Sequence, residues 1–200
     1  MTNQTDSCSN CETLRHQLEE KDKEILTLLS QIADLVRNDD MTGTLNRHGW
    51  EELLHTELQR SQRTGHPFCV AVIRLDDFQG LLEREGIPAG ETALKTASET
   101  MLRILRTLDR VGHFGGANFG ILLPATWLDQ GAIALRRLTD GIAACRHGSA
   151  LSFSAGLTTN AFGDTVQRIT HRAATAMEQA SQQGGNRVVQ VEETLPDAAP

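Results

Sequence analysis

No stretch of this chain approaches the roughly 20 consecutive apolar residues that a membrane-spanning helix requires. The opening MTNQTDSCSN lacks the basic-then-apolar order of a secretory signal, so the protein is expected in the cytoplasm. A basic surplus is missing as well. The formal net charge is −7, which argues against a general nucleic-acid binder, because displacing counterions from a polyphosphate takes a positive surface. That balance leaves room for one local anion site. Cysteine is sparse. Cys69 and Cys145 sit in apolar contexts and read as small core residues, while Cys8 and Cys11 form a lone CxxC. One such pair supplies half of a tetrahedral zinc site, completed only by a second pair across a dimer; otherwise the two are free thiols.

What is present is an ordinary globular mixture, 39% hydrophobic and 22% charged, long enough for one domain and an appendage. After a polar tail over 1–11, a helix is expected over 12–38. Leu14, Leu18, Ile25, Leu28, Ile32 and Leu35 fall at heptad a/d positions, with Lys21 as the exception. The pattern predicts a two-stranded coiled coil and hence a homodimer; an amphipathic helix folded onto its own domain is the other reading. Beyond Asp40 the elements are mixed. Helices are expected at Asn46 to Arg63, Glu91 to Leu108, Leu128 to Cys145 and Asp164 to Gln183. Strands are expected at Phe68 to Leu75, Arg110 to Phe114, Phe119 to Leu123, Leu151 to Leu157 and Arg187 to Val191. Gly115-Gly116 between two apolar runs signals a hairpin, since glycine accepts the positive φ that tight turns need. The fold class is α+β, an α/β sandwich with helices covering a sheet that contains antiparallel strands. Residues 192–200 read as a disordered tail.

Seven segments in order resemble the GGDEF domain along 39–191. Asp39-Asp40-Met41-Thr42-Gly43-Thr44-Leu45-Asn46-Arg47 resembles the opening D-x-L-T-G-L-x-N-R. Arg74-Leu75-Asp76-Asp77-Phe78-Gln79 resembles D-I-D-H-F-K, and Gly86 and Gly90 match the glycines of G-H-x-x-G-D. Gly115-Gly116-Ala117-Asn118-Phe119 stands at the signature, followed by Ile121-Leu122-Leu123-Pro124. Leu151 to Leu157 resembles L-T-V-S-I-G-V, and Gly184, Asn186, Arg187 and Val188 resemble the closing G-R-N-R-V. The resemblance implies a five-stranded sheet like the palm of nucleotide cyclases.

It also implies a reaction, the joining of two GTP molecules into cyclic di-GMP with Mg²⁺ held by carboxylates. The family takes those carboxylates from positions that are Arg74 and Ala117 here, and the signature Glu is Asn118, an amide that cannot act as a base. The guanine-reading positions are Leu82 and Glu91, the late phosphate-contacting Lys falls at Ser181, and Arg187 is kept. A degenerate domain without a Mg²⁺ site, and not an enzyme, is therefore expected. Arg74 either supplies the cation's charge to a bound phosphate or forms an ion pair with Asp76, Asp77 or another neighbour.

Many relatives bind cyclic di-GMP at an inhibitory R-x-x-D site. Arg106-Thr107-Leu108-Asp109 keeps the family's offset, Asp109 lying six positions before Gly115, and Arg137 matches the further Arg. The spacing alone says little, since it recurs at Arg37/Asp40, Arg74/Asp77 and Arg137/Asp140. The plain alternative is an i,i+3 ion pair at a helix end. Three readings follow: a cyclic di-GMP receptor signalling to a partner protein, a nucleotide-independent interaction scaffold, and a residual cyclase.

Overall fold

The computed structural model describes residues 5–35, 37–145 and 151–192. The chain divides into two compact units, Met1–Arg37 and Asn38–Pro200. No helix among the described residues is long and apolar enough to cross a membrane.

The first unit is one helix, α1 (Thr5–Leu35). It starts well inside the stretch read as a polar tail. Ser, Asn, Thr and Asp cost only tenths of a kcal/mol each inside a helix, and the stretch contains no Pro or Gly to stop it. Cys8 and Cys11 thus lie on α1. Leu14, Leu18, Ile25, Leu28 and Ile32 are each more than half exposed. The side chain of Leu35, and the tail expected beyond Glu192, lie outside the described residues.

The second unit is built on a six-stranded sheet, one strand more than expected. The addition is β1 (Leu45–Asn46), a two-residue edge pairing parallel to β3 (Arg110–Gly115) and too short to show a sequence period. Between them in the chain come α2 (Arg47–Thr64), β2 (Cys69–Leu75), α3 (Phe78–Glu85) and α4 (Ile87–Ile104). Then follow β4 (Asn118–Leu123), α5 (Leu128–Ala143), β5 (Phe153–Thr159), α6 (Val166–Gln182) and β6 (Arg187–Val191). The sheet order is β1-β3-β4-β2-β5-β6.

β2 is central, antiparallel to both β4 and β5, and its alternation sorts two cores. Cys69, Ala71, Ile73 and Leu75 meet Leu94, Met101, Leu135 and Leu138 of α4 and α5 on one face. Val70 and Val72 meet Trp50, Leu54, Ile169 and Met177 of α2 and α6 on the other. A strand covered on both faces needs apolar residues throughout, which is why FCVAVIRL reads as a continuous run. Gly156 of β5 is forced by packing: a Cβ there would collide with the α6 backbone at Ala173 and Met177. The loop after β5 is tied to the same helix by a buried ion pair. The Arg172 guanidinium donates to both Asp164 oxygens at 2.7 and 3.1 Å, and to Thr158 Oγ1 and the Thr159 carbonyl. The Asp164 side chain is fully buried, so losing Arg172 would strand its charge.

α3 was not anticipated, and α4 begins four residues before the expected Glu91. Gly86, at φ +83°, separates the two helices, and Pro88 sits in the first turn of α4, where its missing N–H costs nothing. At its far end α4 stops at Ile104 rather than Leu108, because the next residues close a turn on Asp109.

Candidate functional site

The hairpin between β3 and β4, the end of β2 and the start of β6 meet at one end of the sheet. Gly115 and Gly116, at φ +92° and +55°, make the turn. Arg74 lies in register with Asn118 on one side and Ser154 on the other, and the Leu75 N–H donates to the Ala117 carbonyl at 3.0 Å. The structure therefore brings Arg74, Ala117 and Asn118 together. The Asn118 amide donates back to the Gly115 carbonyl at 3.3 Å.

Arg74 is held by neither Asp76 nor Asp77. Its guanidinium forms a two-pronged pair with Glu178 of α6 at 2.6 and 3.1 Å. Asp76 instead accepts from Ser152 Oγ at 2.8 Å, Ser154 Oγ at 2.6 Å and the Asn186 N–H at 2.9 Å. That links β2, β5 and the approach to β6. Asp77, in the left-handed region at φ +49°, pairs with Arg84. Glu178 was missed by sequence reasoning. Its only signal is helical phase, three positions before Ser181 on α6. The donor set does not fit Mg²⁺, which wants anionic oxygens where this chain has a guanidinium, a methyl and an amide. Among the described residues no three His, Cys, Asp or Glu side chains are grouped to hold a metal ion.

The remaining positions are more dispersed. Leu82 of α3 packs toward Gly90, where a Cβ would strike it, and Glu91 is exposed on α4 just past its first turn. Ser181 is half-buried on α6. Arg187 is exposed, its Nε donating to the Gly185 carbonyl at 3.2 Å.

A second cluster forms at the C-terminal end of α4. The Asp109 carboxylate accepts from the Arg106 N–H at 2.8 Å, and the Asp109 N–H donates to the Arg106 carbonyl at 3.0 Å. The i,i+3 relation is thus a backbone turn, and the Arg106 side chain points out exposed. Arg137 of α5 reaches the Ile104 carbonyl at 3.5 Å, two residues from Arg106. Burial pushes the Asp109 carboxyl above its ordinary value, and the Arg106 N–H with the Arg106 and Arg110 charges only partly offsets it. Arg110, not singled out from sequence, wraps the turn by donating to the Thr107 and Asp109 carbonyls at 2.6 and 3.0 Å.

A buried histidine joins the opening motif to the hairpin. His113 Nε2 lies 3.0 Å from the Gly116 carbonyl, and its Nδ1 is 3.2 Å from Asp39 Oδ2, off the hydrogen-bonding line. Burial raises the Asp39 carboxyl, but hydrogen bonds from Thr42 Oγ1 and the Thr42 N–H, with His113 close beside it, hold it below its ordinary 3.8. A depressed carboxyl adds stability that is complete above the unfolded value and is lost as pH falls through the folded one. Asp39→Asn should therefore cost on the order of 1 kcal/mol at neutral pH. In urea unfolding the deficit should shrink below pH 3.8; a deficit indifferent to acid would assign Asp39 a purely steric role.

Comparison with known proteins agrees with this geometry. The profile of "Diguanylate cyclase, GGDEF domain" matches residues 36–187. Diguanylate cyclase DgcP of Pseudomonas aeruginosa is 35% identical over 155 residues, 75% of this chain but 23% of DgcP. The chain therefore spans about a quarter of that relative. Among solved structures, diguanylate cyclase SiaD of Pseudomonas aeruginosa, in complex with its activator SiaC, superposes with a TM-score of 0.75. Its identity is 26%, over 94% of this chain and 74% of SiaD. A microbial GGDEF domain, solved for its interaction with cyclic di-GMP, superposes at 0.70 with 28% identity, over 77% of this chain and 96% of that one. The expectation that the chain is not an enzyme is overturned here. The proteins it resembles are named diguanylate cyclases, and that likeness extends over three quarters of the chain rather than the few positions at Arg74, Ala117 and Asn118.

Proposed function

Because this chain belongs to the GGDEF family of diguanylate cyclases, we propose that it binds cyclic di-GMP through Arg106, Asp109 and Arg137 and signals that occupancy to a partner protein. The observation carrying this reading is the meeting of Arg137 with the carbonyl that ends α4, beside the Arg106–Asp109 turn. The chemistry suits the ligand. An Arg fork reaches a phosphate or the O6 and N7 acceptors of guanine, and an ionised carboxylate accepts from guanine N1–H and N2–H. A calorimetric titration with cyclic di-GMP tests it. A scaffold that needs no nucleotide is favoured only by the SiaD complex with a protein activator. Thermal stability indifferent to both GTP and cyclic di-GMP would select that reading, since a ligand of the native state must stabilise it.

Two copies would be held through α1, whose exposed Leu14, Leu18, Ile25, Leu28 and Ile32 form the seam of a coiled coil. Sedimentation should give twice the chain mass for the parent, and the chain mass for Ile25→Lys with Leu28→Lys. A parent that stays monomeric at tens of micromolar ends the dimer proposal.

A further inference from the structure

The turn between β3 and β4 is held from three directions, and one of the three holds can titrate. The Gly115 carbonyl accepts from the Asn118 amide, and the Ala117 carbonyl accepts from the Leu75 N–H. The Gly116 carbonyl faces His113 Nε2 at 3.0 Å. Strand pairing adds little there. The ladder shifts register between His113 and Gly115, so Phe114 is passed over and the approach to the turn is not fixed by pairing alone.

His113 is buried, its ring tilted against Phe119 of β4 with centroids 5.0 Å apart. Each of its nitrogens faces an oxygen that can only accept. A peptide carbonyl has no proton to give, and neither has the ionised carboxylate whose Oδ2 lies 3.2 Å from Nδ1. A neutral imidazole carries a single N–H. With that proton on Nε2 the turn is held, but a lone pair then faces Asp39. With it on Nδ1 the Asp39 contact turns favourable and the Gly116 carbonyl loses its donor. Only the doubly protonated ring serves both oxygens.

The surrounding elements bring other chemistry. α4 turns Leu94, Ala97 and Met101 to the core and keeps Glu91, Lys95 and Glu99 exposed. β1 places Asn46 in register with His113. Trp50 and Arg47 of α2 meet Gly112 and Phe114 instead, and Arg110 of β3 is engaged by the Thr107 and Asp109 carbonyls. Asp39 is the charged group that faces the ring.

We infer that His113 is a proton-operated latch on this turn. Carrying both protons, the ring clamps the Gly116 carbonyl and the Asp39 loop together; carrying one, it releases one of the two. Imidazole ordinarily changes charge between about pH 5 and 8, so the latch switches near neutrality. Asp39 follows closely on Leu35, the last residue of α1, so the same proton ties the segment leading out of that helix to the hairpin. The latch depends on neither the Arg106 turn nor any nucleotide.

Nuclear magnetic resonance tests it. The His113 ring signals and the backbone amides of 42–44 and 115–118 should be followed together from about pH 5 to 8. Both sets of amides should shift with the midpoint of the ring. In His113→Gln, whose amide does not titrate, they should stay flat. Asp39→Asn should move the ring's midpoint to lower pH, because the anion that favours the second proton is gone. The latch is overturned if the 115–118 amides ignore the ring, if they shift equally in His113→Gln, or if Asp39→Asn leaves the midpoint in place. Should His113→Gln fail to fold, the parent and Asp39→Asn titrations decide the matter between them.

Discussion

Titrated with cyclic di-GMP, the chain should release heat to saturation, and Arg106→Ala should lower the affinity about a hundredfold, a loss of about 2.7 kcal/mol. The size follows from the geometry. The Arg106 side chain is exposed while its backbone N–H is fixed by Asp109, so the guanidinium is positioned and, among the described residues, makes no hydrogen bond or ion pair of its own. Hydrogen bonds between ionised groups and phosphate or guanine are the strong ones. Asp109→Asn should also weaken binding, because an amide cannot replace a two-acceptor carboxylate. The pH dependence has a defined sign. Burial raises the Asp109 carboxyl, so acidification protonates it sooner than an ordinary aspartate, and affinity should begin to fall above pH 3.8. No heat at several hundred micromolar ligand would remove the site.

The second large effect concerns the hairpin cleft. With GTP and Mg²⁺, a chain carrying Arg74→Asp, Ala117→Asp and Asn118→Glu together should form cyclic di-GMP at least about a hundredfold faster than the parent. The substitutions put anionic oxygens at the end of β2 and on the turn, positions the register already sets side by side. Removing Arg74 also frees Glu178, which its guanidinium now occupies. The parent's rate is the baseline, and it measures directly what Asp76, Asp77 and Glu178 contribute as they stand. If the triple substitution gains nothing while still folding, the cleft lacks something other than carboxylates.

Much of the second unit could be read along the chain. Strands sandwiched between helices are uniformly apolar, the Gly-Gly turn needs positive φ, and β6 was read with its observed bounds. The features that escaped are those with no local period. β1 has two residues and α3 eight, and α3 begins after Asp77 in a left-handed conformation that its sequence does not advertise. The start of α1 escaped because polar residues are weak helix breakers. At the cleft, the positions of Arg74, Ala117 and Asn118 were legible, but the partner of Arg74 was not, since Glu178 is 104 positions away and reaches it only through the packing of α6. The likeness to cyclases is legible too, in seven ordered segments along 39–191.

The bare backbone of Gly156 lets α6 lie directly on β5. One helix thereby carries Glu178 toward the hairpin and Arg172 toward the loop after β5, both at a spacing fixed by the lack of a single methyl. Enlarging that residue would lift the helix and disturb both contacts at once, so neither can be retuned in evolution by moving the helix without a cost to the other.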